Sequence, residues 1–390
     1  MHLFINALAA SSSSGLTYLR NVIPHLCCRT DLHTTLAVNP QIRESVKSSP
    51  GLSFADVPCP GSALRRFWHE QFTLPEFVRN SGADVLISAG NFALRNSPIP
   101  QILLSGNSLY TSNDFYRDLR SRGAYGLWFE THSKAIIARR SLFWADCTVA
   151  PSEAFARVLR KQATANIVKI HHGFDAELFA RDRSPLAPHI QRKLDGAADS
   201  LRLLFVSYYN YYRNFETLFK AVPFIREQMA AQYGRGVKLF LTCTLRSEEN
   251  PGRFRAEGAK ALVEKLGIGN DIVELGPVPY HQLHHVYRQC DIYVTASYAE
   301  TFAHPTVEAM ASGLPVVASD IEVHREICGS GATYFPRFSS EDLALHVLAA
   351  YSKAKKRDCN EQLRARAASF SWKNHVDELV SLAHSLRCSR

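Results

Sequence analysis

A chain of 390 residues exceeds what one hydrophobic core supports, since single cores stop growing at about 250–300 residues, so two domains are expected. With 46% hydrophobic and 21% charged residues the composition is that of an ordinary globular protein, which excludes a disordered, collagen-like or disulfide-scaffold chain. The 45 basic and 36 acidic side chains leave a net charge of +9, which suits an anionic ligand, an anionic membrane surface or nucleic acid and chooses among none of them.

The N-terminus, Met1-His-Leu-Phe-Ile-Asn6, has no basic flank followed by a long apolar stretch, and reads as a first buried strand, not a signal peptide. No run approaches the roughly 18–20 apolar residues of a membrane-spanning helix. Strands are predicted at Leu3–Ala7, Thr34–Val38, Leu52–Val57, Val85–Ser88, Ile102–Ser105, Cys147–Ala150 and Ile167–His171. Helices are predicted between them at Leu16–Leu26, Leu64–Asn80, Ala124–Phe143 and Glu153–Gln162. Residues 181–200, with Pro185, Pro188, Gly196 and many charges, read as a linker. A second series predicts strands at Leu201–Ser207, Lys238–Cys243, Ile272–Leu275, Ile292–Thr295 and Pro315–Ala318. Its helices are expected at Phe215–Gln232, Phe254–Leu266, His281–Gln289, Thr306–Ala311 and Asp342–Lys353, and a last helix at Trp372–Leu386 has no packing partner that pattern alone assigns.

Such alternation predicts an α/β fold of two Rossmann-like domains, residues 1–180 and 201–370, with residues 371–390 forming a C-terminal helix. Their parallel sheets are expected to turn carboxyl strand ends toward a central cleft, where such sheets bind ligands. The nine cysteines show no Cys-x-x-Cys and no metal spacing, and read as reduced cytosolic thiols packed as small hydrophobes. Basic residues gather around Arg117 to Arg122, Lys134 to Arg140 and Arg157 to Lys161, without the interleaved aromatics and glycines of a nucleic-acid module.

The most informative stretch is Thr295–Asp320. A strand ends near Ser297, a loop follows, and Pro305 stands where a helix would begin, a position at which its missing N–H is not needed. Backbone amides of about Phe302 to Thr306 would then form an anion site at a helix N-terminus. Glu300 on the loop and Glu308 one turn into the helix could hold the hydroxyls of a sugar nucleotide. Equally, Glu308 could only complement the helix dipole and Glu300 could be a solvated loop residue. The Ser11–Ser14 run before Gly15 could place amides on a phosphate or form a solvated loop; neither a Gly-x-Gly-x-x-Gly nor a Walker lysine loop occurs. His281, His284 and His285 read as a polar helix face, not a metal site.

Glu300-Thr-Phe-Ala-His-Pro-Thr-Val-Glu308-Ala-Met-Ala-Ser-Gly313-Leu-Pro315-Val-Val-Ala-Ser319 closely resembles the signature of retaining glycosyltransferase family 4, of GT-B fold. That pattern runs Glu, Ser/Gly, Phe, Gly, then Glu-Ala-Met-Ala-x-Gly-x-Pro-Val-Val-Ala. Ser14-Gly15-Leu16 resembles the family's first glycine-bearing loop, His172-Gly173-Phe174-Asp175 the segment closing its first domain, and Leu275-Gly276-Pro277-Val278 the loop receiving the base. By resemblance, Glu308 binds the donor ribose, Glu300 contacts the donor sugar, and Thr301, Phe302, Ala303, His304 and Pro305 hold sugar and phosphate. The family's Val-Gly-Arg-x-x-x-x-Lys-Asn segment corresponds to Val206 through Asn214: Ser207 and Asn214 keep their places, Tyr208 replaces the arginine, and Arg213 replaces the lysine. Arg213 and Glu300 are thus the candidate catalytic pair, with Gly15, Thr244 and Val278 completing the donor site. On the acceptor side, Trp68-His69-Glu70-Gln71 and Asn91 resemble segments of polysaccharide-building members, and Asn107 stands near the place of a family histidine.

The resemblance implies a retaining glycosyltransferase of hexosyltransferase type that needs neither metal nor cofactor. It would transfer from a nucleoside-diphosphate sugar to a glycan or lipid-linked acceptor in surface polysaccharide assembly, such as that of lipopolysaccharide. Its expected place is cytoplasmic, peripheral on the inner face of the cytoplasmic membrane, with weak contact to anionic lipid and no nucleic-acid partner. The alternatives are a non-catalytic sugar-nucleotide-binding protein, which Tyr208 and Asn107 motivate, and a glycoside hydrolase with Glu300 and Glu308 as its carboxylates.

Overall fold

The computed structural model describes all residues except 11–12, 44–45, 47–48, 251–253, 355–358 and 389–390. Seven parallel strands form the first sheet: β1 (His2–Ala7), β2 (His33–Val38), β3 (Leu52–Phe54), β4 (Val85–Ser88), β5 (Gln101–Leu104), β6 (Cys147–Ala150) and β7 (Ile167–Lys169). Their order is β3-β2-β1-β4-β5-β6-β7, with Leu3 opposite both Thr34 and Val85. Leu3 and Ile5 face a core made with the helix Ser13–Cys27, whereas Phe4 and Leu8 face the opposite core under the helix Leu74–Asn80. The period-2 alternation thus divides one strand between two apolar layers, which is why the strand carries so few polar residues.

The second sheet holds β8 (Ser200–Phe205), β9 (Gly236–Leu241), β10 (Ile272–Glu274), β11 (Ile292–Thr295), β12 (Val316–Ser319) and β13 (Thr333–Phe335), in the order β10-β9-β8-β11-β12-β13. All pairs are parallel. In each sheet the strand order reverses once, between β1 and β4 and between β8 and β11. Loops leaving the two strands at such a reversal diverge to opposite sides and open a crevice between them.

Contacts divide the chain into two units that do not follow the sequence in order. The first comprises residues 1–111, 128–173 and 371–390, and the second residues 112–127 and 174–370. These bounds differ from a division into 1–180, 181–200 and 201–370 in three places. The helix Trp372–Cys388 joins the first unit, where Val376, Leu379, Val380 and Ala383 complete the core with Leu19, Val22 and Leu26. Gly173 crosses directly under it, and a Cβ there would lie 2.0 Å from the Trp372 amide nitrogen. Segment 112–127, from the N-terminal half of the sequence, joins the second unit. Within the expected linker a helix, Pro188–Asp195, starts on its proline and buries Ile190 and Leu194.

Other predicted elements shift for identifiable reasons. The single helix expected over Leu64–Asn80 is two, Ala63–Phe72 and Leu74–Asn80, because Pro75 cannot donate to the preceding turn and instead opens a new one. The helix expected from Phe254 begins at Glu257, and Phe254 packs its ring on Tyr211. His284 is buried against Phe179 and His281 lies in a preceding 3-10 turn, so these histidines do not form one polar helix face. Among the described residues no helix is long and apolar enough to cross a membrane.

Candidate functional site

The reversal between β8 and β11 assembles the site. The loop leaving β8 ends in a short turn, Tyr211–Arg213, and delivers Arg213; the loop leaving β11 delivers Glu300. Their side chains pair directly, both largely buried. The guanidinium also reaches Ser297 Oγ at 3.3 Å and lies 4.9 Å from the centre of the Tyr212 ring, while its Nε has no hydrogen-bond partner in the protein. Asn214 adopts φ 54° between the turn and the long helix Phe215–Tyr233, and its Nδ2 donates to Ala296 O at 3.3 Å. Asn214 therefore joins the two loops behind the ion pair.

The helix His304–Ala311 begins after Ala303, which takes φ 63° and ψ 57°, and Pro305 lies in its first turn. Of the amides expected to point outward, Pro305 has none and that of Thr306 donates to Ala303 O at 3.0 Å, so the helix start is narrower as an anion site than residues 302–306 suggest. Glu308 is only 5% exposed. The single proton of the Tyr287 hydroxyl is shared between Glu308 Oε2 at 2.9 Å and Pro305 O at 3.0 Å, and burial lifts the carboxyl to about 7 against the opposing effect of the hydrogen bond from Tyr287. Phe302, buried against Phe370, anchors the loop between the two glutamates.

The remaining predicted donor residues spread around this centre. Ser207 donates its amide to Thr242 Oγ1 at 3.1 Å and its hydroxyl to Tyr208 O at 2.7 Å, and the Tyr208 ring is 41% exposed. Thr244 and Val278 are half-buried on the loops beyond β9 and β10. Thr301 and His304 are half-buried beside Phe302, and the His304 ring lies 4.8 Å from it.

In the first unit the reversal between β1 and β4 gathers Gly15, Gly90 and Asn91. A Cβ on Gly15 would lie 2.9 Å from that of Ala10, so glycine lets the helix start close against the loop after β1. Ser11 and Ser12 lie outside the described residues. Asn91, at φ 65°, accepts the Gly106 amide through Oδ1 at 2.7 Å, and Asn107 caps the turn Ser108–Tyr110 by accepting from the Leu109 amide at 3.0 Å. Both carboxamide oxygens are thus engaged in loop structure, and the Asn107 side chain also hydrogen-bonds Tyr110. Glu70, expected only within an acceptor-side segment, is buried near Asn6 and Arg66, and burial raises its carboxyl to about 7.

Several site residues escape sequence reasoning. Tyr287 comes from a different helix than Glu308, and Tyr298 bonds its hydroxyl to Asp118, 180 positions earlier. His324 is fully buried and donates from Nδ1 to Ser319 O at 2.9 Å, while Ser319 Oγ donates to Ser297 O at 2.5 Å, just behind Arg213. None carries a local motif; Tyr287 and Tyr298 are recruited by long-range packing, whereas His324 meets Ser319 only five positions earlier.

Residues 188–366 match the family of glycosyl transferases group 1. The D-inositol 3-phosphate glycosyltransferase of Mycobacterium tuberculosis is 29% identical over 135 residues, 33% of this chain, and that region spans only 28% of the relative's length. Across the whole chain the fold is similar to the sucrose-phosphate synthase of Thermosynechococcus elongatus, with a TM-score of 0.74, 15% identity and 100% of each chain covered. It is also similar to HepE of Anabaena, crystallised in complex with UDP-glucose, at a TM-score of 0.70 and 17% identity, covering 99% of this chain and 100% of that one. At such identities the likeness concerns the fold. Residues 188–366 therefore form a glycosyl transferases group 1 domain, within a chain whose two Rossmann-like domains have the GT-B fold.

Proposed function

We propose that this protein is a retaining, metal-independent glycosyltransferase that moves a hexose from a nucleoside-diphosphate donor to a hydroxyl of a glycan or lipid-linked acceptor in surface polysaccharide assembly. The observation that carries this reading is the convergence of Arg213, Glu300 and Glu308 at the strand reversal of the group 1 domain. In this reading Glu308 accepts hydrogen bonds from the donor ribose, and Glu300 orients the sugar. Arg213 and the start of the helix His304–Ala311 face the diphosphate. The acceptor oxygen attacks the anomeric carbon on the face from which the diphosphate departs, and its proton passes to a donor phosphate oxygen. The breaking bond leaves its electron pair on the diphosphate, where Arg213 meets the growing charge, a type of stabilisation typically worth about 3 kcal/mol. No titrating base is required, which suits Asn107 at the acceptor-side position. With Tyr208 in place of a cation, Arg213 carries more of the charge stabilisation than one of two cations would.

The acceptor side supports a lipid-linked substrate held at an anionic membrane. On the helix Tyr125–Trp144 the exposed residues 129–143 are Phe129, His132, Ile136, Arg139, Arg140 and Phe143, an apolar and basic strip with no acid. Arg139 bonds Gln162 O, next to exposed Lys161, so further positive charge borders the strip.

The deciding experiment is calorimetry of UDP-, GDP-, ADP- and dTDP-glucose, each with the matching nucleotide alone. One base series is expected to bind, and that donor raises the melting temperature by mass action. If no member of any series binds, the reading is wrong.

A further inference from the structure

A short helix from the N-terminal half of the sequence is built into the second unit beside the donor site. Asn113–Ser121 is capped by Ser112, whose Oγ accepts the Phe115 amide at 3.2 Å, and it buries Phe115 and Leu119 completely. Those two residues explain why it docks. Its polar residues do something more specific. Asp118 Oδ2 accepts the Tyr298 hydroxyl at 2.7 Å, and its Oδ1 accepts Arg122 Nε at 2.7 Å. Arg122 in turn pairs with Glu216 at 2.8 Å, and its Cζ lies 4.3 Å from the centre of the Tyr211 ring. Arg337 closes the other end by pairing with Asp114 at 3.0 Å.

Tyr298 stands two residues before Glu300, and Tyr211 two residues before Arg213. The two arms also meet in the backbone, where the Tyr298 amide donates to Tyr212 O at 3.0 Å. The Asp118–Arg122 pair therefore holds one tyrosine from each arm of the site. Tyr298 and Arg122 are mostly buried, so these charge-assisted bonds are little screened by water. A purely structural anchor would need only Phe115 and Leu119.

We propose that Asp118 and Arg122 are positioning residues of the donor site, which set the spacing of Glu300 and Arg213 through Tyr298 and Tyr211. The proposal rests on the donor reading above. It predicts a differential effect along the donor: the sugar and diphosphate, at Glu300 and Arg213, depend on the pair, whereas the nucleoside, at Glu308, does not. A displacement of about 1 Å can cost on the order of a hundredfold in a well-oriented site, and the loss of one bond in the network is expected to cost about tenfold.

The test is calorimetry of Tyr298→Phe, Asp118→Ala and Asp118→Asn with UDP-, GDP-, ADP- and dTDP-glucose and with the four corresponding nucleoside monophosphates. For the base that binds, Tyr298→Phe and Asp118→Ala are expected to weaken the sugar nucleotide about tenfold and the monophosphate less than twofold. Asp118→Asn, which keeps an acceptor for Tyr298, is expected to retain most of the affinity. Equal losses for both ligands would mean a general structural role, and unchanged affinities no role; either overturns the proposal while the donor reading stands. If the unaltered chain binds none of the ligands, the donor reading falls and the proposal with it. Tyr298→Phe keeps the buried ring, so the test survives even where Asp118→Ala fails to fold.

Discussion

Glu308 combines deep burial with a hydroxyl partner, and its carboxyl is lifted from an ordinary 4.5 to about 7. Near neutral pH it therefore passes between acid and carboxylate. Because the folded value is the higher one, its contribution to stability is complete below 4.5 and is lost as pH rises through about 7. Donor affinity should move the other way, since a ribose hydroxyl donates to the carboxylate. Affinity is expected to climb between about pH 6 and 8, by up to tenfold per unit, and Glu308→Gln should flatten that slope; parallel slopes for both proteins would remove Glu308 from the ribose. Arg213 and Glu300 give a second expectation. Removing one partner of a largely buried pair strands the other charge. Arg213→Met is expected to cost about 3 kcal/mol in urea unfolding, and adding Glu300→Leu to it should recover part of that loss. A double variant less stable than Arg213→Met would show that the two charges are not coupled.

At the level of elements, the entry to the helix His304–Ala311 is strained by its own sequence. Ala303 occupies a left-handed conformation at the place where the resembling family signature carries glycine. Ala303→Gly should raise stability by up to about 1 kcal/mol and leave donor binding intact, a result checked by thermal unfolding with and without nucleotide. The C-terminal helix makes a different expectation. His375 Nδ1 donates to His171 O at 2.8 Å, its Nε2 accepts from the Tyr18 hydroxyl at 2.8 Å, and burial lowers its pKa from 6.5 to about 4. Its stabilising contribution is therefore full above 6.5 and is lost as pH falls toward 4, on the order of 3 kcal/mol in all. Urea midpoints measured between pH 4 and 7 should show this slope, and His375→Gln should reduce it. The existence of this helix was legible from its apolar spacing; its partner was not, because an apolar stripe records that something covers it without recording what. Helix Asn113–Ser121 was missed for a related reason, since its nine residues carry only two buried apolar side chains.

At the scale of the whole molecule, the net charge is +9, and two of the exposed cations, Arg139 and Arg140, border apolar surface on the strip from Phe129 to Phe143. Phe129 is 69% and Phe143 57% exposed, an unusual state for two phenylalanines on one helix face. Vesicles rich in anionic lipid should therefore retain the protein at low salt, and Phe129→Ser with Phe143→Ser should release it. Binding equal to that of neutral vesicles would leave the strip without this role.

Alternation of strand and helix, and the run from Glu300 to Ser319, were enough to identify two parallel α/β domains and the loops that carry the candidate donor residues, because periodicity and a helix-starting proline are local properties. Which strands adjoin was not local. The reversal between β8 and β11 is what brings Arg213 against Glu300, and the same long-range packing supplies Tyr287 to Glu308 and Asp118 to Tyr298. Those partners lie 21 to 180 positions apart. Only burial of two sheets' worth of apolar surface brings such groups together, and that burial belongs to the folded chain as a whole.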